Sequence, residues 1–121
     1  MLIATKALIL LIAIEHIGFL VLEMFLWTKP VGLKVFGQSL EVAQQSATLA
    51  ANQGLYNGFL AAGLIWSAFD TSDASHSLKV FFLSCVLIAG LYGWQTVSSK
   101  ILVVQAIPAA VTLALVLFVT R

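Results

Sequence analysis

Four apolar runs, at residues 3–27, 48–69, 78–97 and 101–120, take up most of this 121-residue chain. An α-helix needs about 20 mainly apolar residues to cross the hydrocarbon core of a bilayer, and each run meets that length. Only 9% of the residues are charged, 61% are hydrophobic, and the mean hydropathy is +1.06. A soluble domain carries about 25% charged residues. The expected fold is therefore all-α: a four-transmembrane-helix bundle forming a single membrane domain over residues 1–121. No cleaved leader is expected, because the first apolar run continues past Glu15 to Trp27 without a small-residue cleavage site behind a short core.

The connections refine this picture. Only Ser98, Ser99 and Lys100 separate the last two runs, so helices three and four should form a tight hairpin. Residues 70–77 are polar, with His76 among them and Asp73 or Ser77 available to cap the third helix. The first connection, 28–47, holds Lys29-Pro30, Gly32, Lys34 and Gly37, and then Ser39-Leu40-Glu41. Ser39 suits an N-cap and Glu41 the first turn, so the second helix is expected to begin near Leu40 and to project beyond the membrane. Trp27, Trp66 and Trp94 fall near span ends, where amphipathic rings anchor at the interface. Cys85 lies in an apolar run with no cationic neighbour and reads as a packing residue.

Charge assigns neither orientation nor a polyanionic partner. Lys6, Lys79 and Arg121 fall on one side of the expected bundle and Lys29, Lys34 and Lys100 on the other, so the positive-inside count is tied. Insertion in both orientations stays open. A net charge of +1 with six scattered Lys and Arg leaves no electrostatic footprint for nucleic acid.

The costly residues are Glu15, His16 and Glu23, all inside the first apolar run. A charge at bilayer depth costs about 2.5–3.5 kcal/mol even on insertion scales, so such groups face a bundle interior or a cavity. At about 100° per residue the three share roughly 100° of one helix face, although adjacent Glu15 and His16 diverge from each other. On the second helix Asn52, Gln53, Tyr56 and Asn57 occupy an arc of about 140°, opposite an arc of Ala47, Ala51, Gly54, Gly58, Ala61 and Ala62. Amides of this kind can serve simply as interhelical hydrogen bonds. Counting about 1.5 Å per residue, Glu15 and His16 lie at the midplane and Glu23 about 12 Å toward the side of Lys29, Lys34 and Lys100. Tyr92, Gln95 and Gln105 fall in the same half. Together they outline a ligand- or proton-binding funnel with Glu15 and His16 at its floor. Pro108 should kink the fourth helix near Gln105 and free a backbone acceptor, with Thr112 either lining the cavity or bonding back to its own helix.

Metal and cofactor chemistry is not expected. One intramembrane imidazole with two distant carboxylates lacks a closed ligand set. A haem bridged between two His16 side chains of a dimer is the arrangement that would overturn this. No serine or cysteine is placed with a base and an orienting group, so nucleophilic catalysis has no support.

The runs Ile14-Glu15-His16, Leu22-Glu23-Met24-Phe25-Leu26-Trp27, Lys34-Val35-Phe36-Gly37, Ala51-Asn52-Gln53-Gly54-Leu55-Tyr56-Asn57-Gly58-Phe59-Leu60-Ala61 and Gln105-x-x-Pro108-Ala109 resemble the bacterial membrane family catalogued as domain of unknown function 1304. That resemblance implies a small, stand-alone, four-span protein of the bacterial inner (cell) membrane, and no chemistry. Two functional classes follow from the residues. In the first, Glu15 is a proton-coupled binding carboxylate that exchanges a proton for a small or lipophilic substrate. Its place in a short four-span chain is similar to that in the small multidrug resistance transporters, from which the adjacent histidine, the long first connection and the amide-rich second helix depart. In the second, the funnel belongs to a membrane-embedded enzyme or a binding protein for a lipid or quinone, with Glu15 or His16 as acid or base and Asn52, Tyr56 and Asn57 orienting a polar head. The long first connection is loosely similar to that of the membrane-associated eicosanoid and glutathione enzymes, whose arginine-containing motif is absent. Membrane lipids and further copies of the chain are the expected partners, because four spans enclose little volume and the glycine-alanine arc offers a close-packing surface.

Overall fold

A computed structural model describes residues 2–119. Thr120, at the end of the fourth apolar run, and Arg121, counted above in the charge balance, lie outside the described residues. The described chain is all-helical: α1 (Ile3–Met24), α2 (Pro30–Phe36), α3 (Leu40–Phe69), α4 (Ser75–Thr96), a π-helical segment (Leu102–Ala106) and α5 (Ile107–Phe118). Among the described residues, α1 and α4 are long and apolar enough to cross a bilayer, whereas Leu102–Phe118 is apolar but shorter. α3 has the length, at 30 residues, but its run of Gln, Ser, Thr and Asn dilutes its hydropathy.

The chain divides into two compact units, one of residues 1–13 and 60–121 and one of residues 14–59. The first has a continuous apolar core that includes Ile9, Ile12, Leu64, Leu83, Val86, Ala109 and Val116, with Phe82, Leu87 and Leu113 packed against it. Here α4 packs along the π-helical segment and α5, giving the hairpin that the three-residue polar link requires. Backbone meets backbone at its tightest point. A Cβ on Gly90 would lie 2.7 Å from the Ala106 amide nitrogen and 2.9 Å from its Cα. Cys85 is half-buried on the same helix.

A π-helical segment lies at the break expected near Gln105. Pro108 has no N–H for the turn behind it, so the ladder there cannot run on unbroken. The chain widens by one residue per turn, and the Ile107 amide reaches back to the Leu102 carbonyl. Thr112 is buried and its hydroxyl donates to the Pro108 carbonyl at 2.8 Å, so it bonds within its own helix.

In the second unit the first connection is ordered in part by a short helix. It contains α2, with Pro30 in the first turn, where a missing N–H costs nothing. Gly32 faces the Leu26 carbonyl so closely that a Cβ would sit 2.0 Å from that oxygen. Gly37 ends the helix at φ 63°, and its amide and that of Gln38 return to the Leu33 carbonyl. Trp27 anchors the connection: its indole N–H donates to Ser46 Oγ at 3.1 Å, and its ring packs on Phe36 at 4.7 Å between centroids.

The expected start of α3 holds. Ser39 Oγ accepts the Val42 amide at 3.2 Å and Glu41 lies in the first turn. The expected caps of α4 do not. Neither Asp73 nor Ser77 caps it; Ala74 occupies the position with no side-chain bond. Asp70 instead accepts the amide and hydroxyl of Ser72, whose own hydroxyl accepts the Ala74 amide, and this upstream turn launches the helix at Ser75. His76 therefore sits in the first turn of α4 and not in the connection.

Gly90→Val should lower stability by about 1–3 kcal/mol, the usual cost of forcing extra methyl groups into a filled contact. Gly18→Ala, where an added Cβ meets nothing within 4 Å, should not. Unfolding of the detergent-solubilised protein by sodium dodecyl sulfate, followed by tryptophan fluorescence, separates the two; equal midpoints would mean that α4 and the π-helical segment are not in backbone contact.

Candidate functional site

Of the residues singled out in the sequence, Glu15, His16, Glu23, Asn52, Gln53, Tyr56 and Asn57 belong to the 14–59 unit. Tyr92, Gln95 and Gln105 belong to the other. Tyr92 and Gln95 are exposed there and Gln105 is half-buried.

Within the 14–59 unit, glycine decides which face of α3 meets α1. A Cβ on Gly54 would lie 2.7 Å from Met24 Cγ and 3.1 Å from Glu23 Cβ, and one on Gly58 would lie 2.7 Å from Leu20 Cδ1. Small residues permit this approach, and an added Cβ would fit only if the Met24 or Leu20 side chain moved. Gly54 and Gly58 of the small-residue arc are thus laid against α1. The amide arc turns elsewhere: Asn52, Gln53 and Tyr56 are exposed, Tyr56 at 61%, and the Asn52 amide donates to the Thr48 carbonyl of its own helix at 3.0 Å. Asn57, at the border of the two arcs, is the member brought into contact with a carboxylate.

That contact is the centre of the site. Asn57 Nδ2 donates to Glu23 Oε1 at 2.6 Å, and Glu23 is only 4% exposed. A buried carboxylate is tolerated when hydrogen-bonded and neutralised. Among the described residues no lysine or arginine is bonded to it, so the amide supplies a hydrogen bond but no charge.

Two turns earlier on α1, His16 is fully buried and its ring stands edge-on to Phe19 at 5.3 Å. Glu15 is half-buried, and its Oε1 is enclosed with no hydrogen-bond partner among the described residues. The helix therefore carries two carboxyl groups in different circumstances: Glu23 held by an amide, Glu15 with an oxygen left open.

Leu20 and Ser46 were not singled out in the sequence, although Leu20 fills the space beside Gly58 and Ser46 receives the Trp27 indole. Neither carries a sequence signal for this, since the first is one apolar residue among many and the second one hydroxyl in a polar turn.

The model of a protein family described as "Protein of unknown function (DUF1304)" matches residues 10–117. The chain belongs to this family. The uncharacterized protein YpaA of Lactococcus lactis subsp. lactis (strain IL1403) is 35% identical over 107 residues, which cover 87% of this chain and 89% of that protein. No solved structure matches the chain. The segment matched by the family includes both members of the Glu23–Asn57 pair.

Replacing Asn57 with Leu should destabilise the fold by about 1–3 kcal/mol, because Glu23 Oε1 loses its donor while staying buried. Glu23→Gln keeps an acceptor for the Asn57 amide and should cost less. A double-mutant cycle read by detergent unfolding checks this: a coupling energy near zero would mean that the two side chains do not interact.

Proposed function

We propose that this protein is a proton-coupled transporter of a small, lipophilic substrate, with Glu23 and Asn57 at its binding site and Glu15 and His16 farther along the same helix. The observation that carries the reading is the buried Glu23–Asn57 bond, with no lysine or arginine bonded to the carboxylate among the described residues. A carboxylate at membrane depth needs its charge cancelled, and where the protein supplies no ammonium or guanidinium, a proton or a cationic substrate does so. Asn57 fixes Oε1 through its N–H and leaves Oε2 to receive either one. Competition between proton and substrate for one carboxylate couples their movements. Glu15, with an oxygen open, is the next acceptor along α1.

The same proposal takes the chain as a four-span protein of the bacterial cell membrane. α1 and α4 supply two spans; the part of α3 after Ala47 and the run Leu102–Phe118 supply the others. At about 1.5 Å per residue Leu102–Phe118 reaches about 25 Å, the lower limit for an untilted crossing. Four such helices enclose little volume, so the working unit is a homo-oligomer.

The test uses proteoliposomes with a trapped pH indicator and tetraphenylphosphonium as the lipophilic cation. The wild-type protein should move protons outward as the cation enters, Glu23→Gln should abolish the exchange, and Glu15→Gln should reduce it at least tenfold, about the rate effect of losing one proton acceptor. Each variant should keep the wild-type oligomer size in detergent. Exchange at the wild-type rate by Glu23→Gln would remove Glu23 from the coupling, and no exchange by the wild-type protein would overturn the reading and favour the membrane-embedded enzyme or lipid- or quinone-binding protein.

A further inference from the structure

The compact unit of residues 1–13 and 60–121 holds a cavity of about 460 Å³ at the ends of three helices. Its walls are Ile3 and Lys6 at the start of α1, Ala68, Phe69, Asp70 and Thr71 at the end of α3, and Ser75 and Lys79 in the first turns of α4. That size falls within the range of small-ligand sites, about 300–1,000 Å³.

Its chemistry is unusual for so apolar a chain. Two of the six cationic residues converge here. Lys79 is only 5% exposed, and its Nζ donates to the hydroxyl and the carbonyl of Ser75. Lys6 Nζ lies over the Phe69 ring, 4.2 Å from its centre. Among the described residues neither ammonium is paired with a carboxylate. Asp70 also lines the cavity, but its Oδ2 accepts both the amide and the hydroxyl of Ser72, which shape the turn into α4. Two lysines against one aspartate leave a formal +1 on the wall. Lys79 is hydrogen-bonded only to neutral oxygens, while the Asp70 charge attracts it from beyond contact and Lys6 opposes it, so an arriving anion would offset the cost of its burial.

We propose that this cavity binds a phosphate group, and that its source is the headgroup of an anionic phospholipid. Lys6 and Lys79 supply the charge, and the Ser75 hydroxyl, at the positive end of the 22-residue α4, adds a further donor. Ile3 and Phe69, both largely exposed beside the polar groups, offer the apolar surface that the glycerol and upper acyl chains of a lipid need. An inorganic phosphate would use the two lysines but leave that surface unused. The site is independent of the Glu23–Asn57 pair and of the transport reading.

The experiment takes the full-length protein in a neutral maltoside detergent and measures retention of dioleoyl phosphatidylglycerol by native mass spectrometry. Dioleoylglycerol, with the same chains and no phosphate, and inorganic phosphate as competitor are the controls. The phospholipid should bind at least tenfold more tightly than the diacylglycerol, and Lys6→Gln and Lys79→Gln should each weaken it about tenfold, somewhat more than the effect of one interfacial lysine near an anionic surface. Lys79→Arg should retain binding. Lys6 is only half-buried, so Lys6→Gln decides the matter if Lys79→Gln does not fold. Displacement of the lipid by millimolar phosphate would assign the site to phosphate itself; resistance to it would assign the site to the lipid. Equal retention of the two lipids, or unchanged binding by Lys6→Gln, would overturn the proposal.

Discussion

Helix packing in this chain is set at positions where a side chain is missing. Association between apolar helices gains little from hydrophobic burial when the surroundings are themselves apolar, so close contact and hydrogen bonding have to supply the energy. Gly54 and Gly58 admit Leu20, Glu23 and Met24 to the surface of α3 in one unit, and Gly90 admits the Ala106 backbone in the other. The first approach has a chemical consequence. It brings the Glu23 carboxylate within reach of Asn57 on a neighbouring helix, so the candidate site is a by-product of the glycine contact and would not form if α3 were rotated to present its amides.

Most other polar side chains settle their hydrogen bonds locally. Ser46 donates to the Val42 carbonyl, Asn52 to Thr48, Ser67 to Leu64, Thr96 to Tyr92 and Thr112 to Pro108, each three or four residues back. Such back-bonding hides a hydroxyl or amide without enlisting another helix. Against that pattern Asn57 stands apart, since it reaches across 34 residues of sequence to a nearly buried carboxylate. A residue serving only to satisfy itself had a carbonyl one turn away. The cross-helix bond is therefore a better marker of a site than the number of amides on α3.

What could be read from the sequence follows from the range of each interaction. The Ser39 cap, the Leu40 start and the α4 hairpin depend on neighbours in the chain and were legible. α2 was not foreseen in the first connection: proline suits a first turn, and Gly32 answers to Leu26, a partner that spacing alone does not reveal. The polar and small-residue arcs of α3 were both visible, but which one faced α1 depended on a helix rotation that no periodicity encodes. Pro108 likewise announced a break near Gln105 but not its form, a π-helical segment whose Ala106 lies against Gly90. Four runs met the apolar length in the sequence; α1 and α4 are helices long and apolar enough to cross a bilayer, whereas the polar residues of α3 dilute its hydropathy.

The choice of an amide as partner for Glu23 bears on the proposed function. A lysine in its place would fix the carboxylate in its charged form, and a buried ion pair of that kind resists both protonation and exchange. An amide N–H can bond the carboxyl oxygen whether or not the group carries a proton, so it holds the geometry while leaving the charge to be set by what arrives. Lys79 is treated in the same way at the other unit: its nearest partners are the hydroxyl and carbonyl of Ser75, neutral oxygens that orient an ammonium without cancelling it. In both places the hydrogen-bond partners of the charge are neutral, although Asp70 shares the cavity wall with the two lysines. For a chain with so few charged residues, that arrangement favours ligands of opposite sign at each site, a cation or proton at Glu23 and an anion at Lys6 and Lys79.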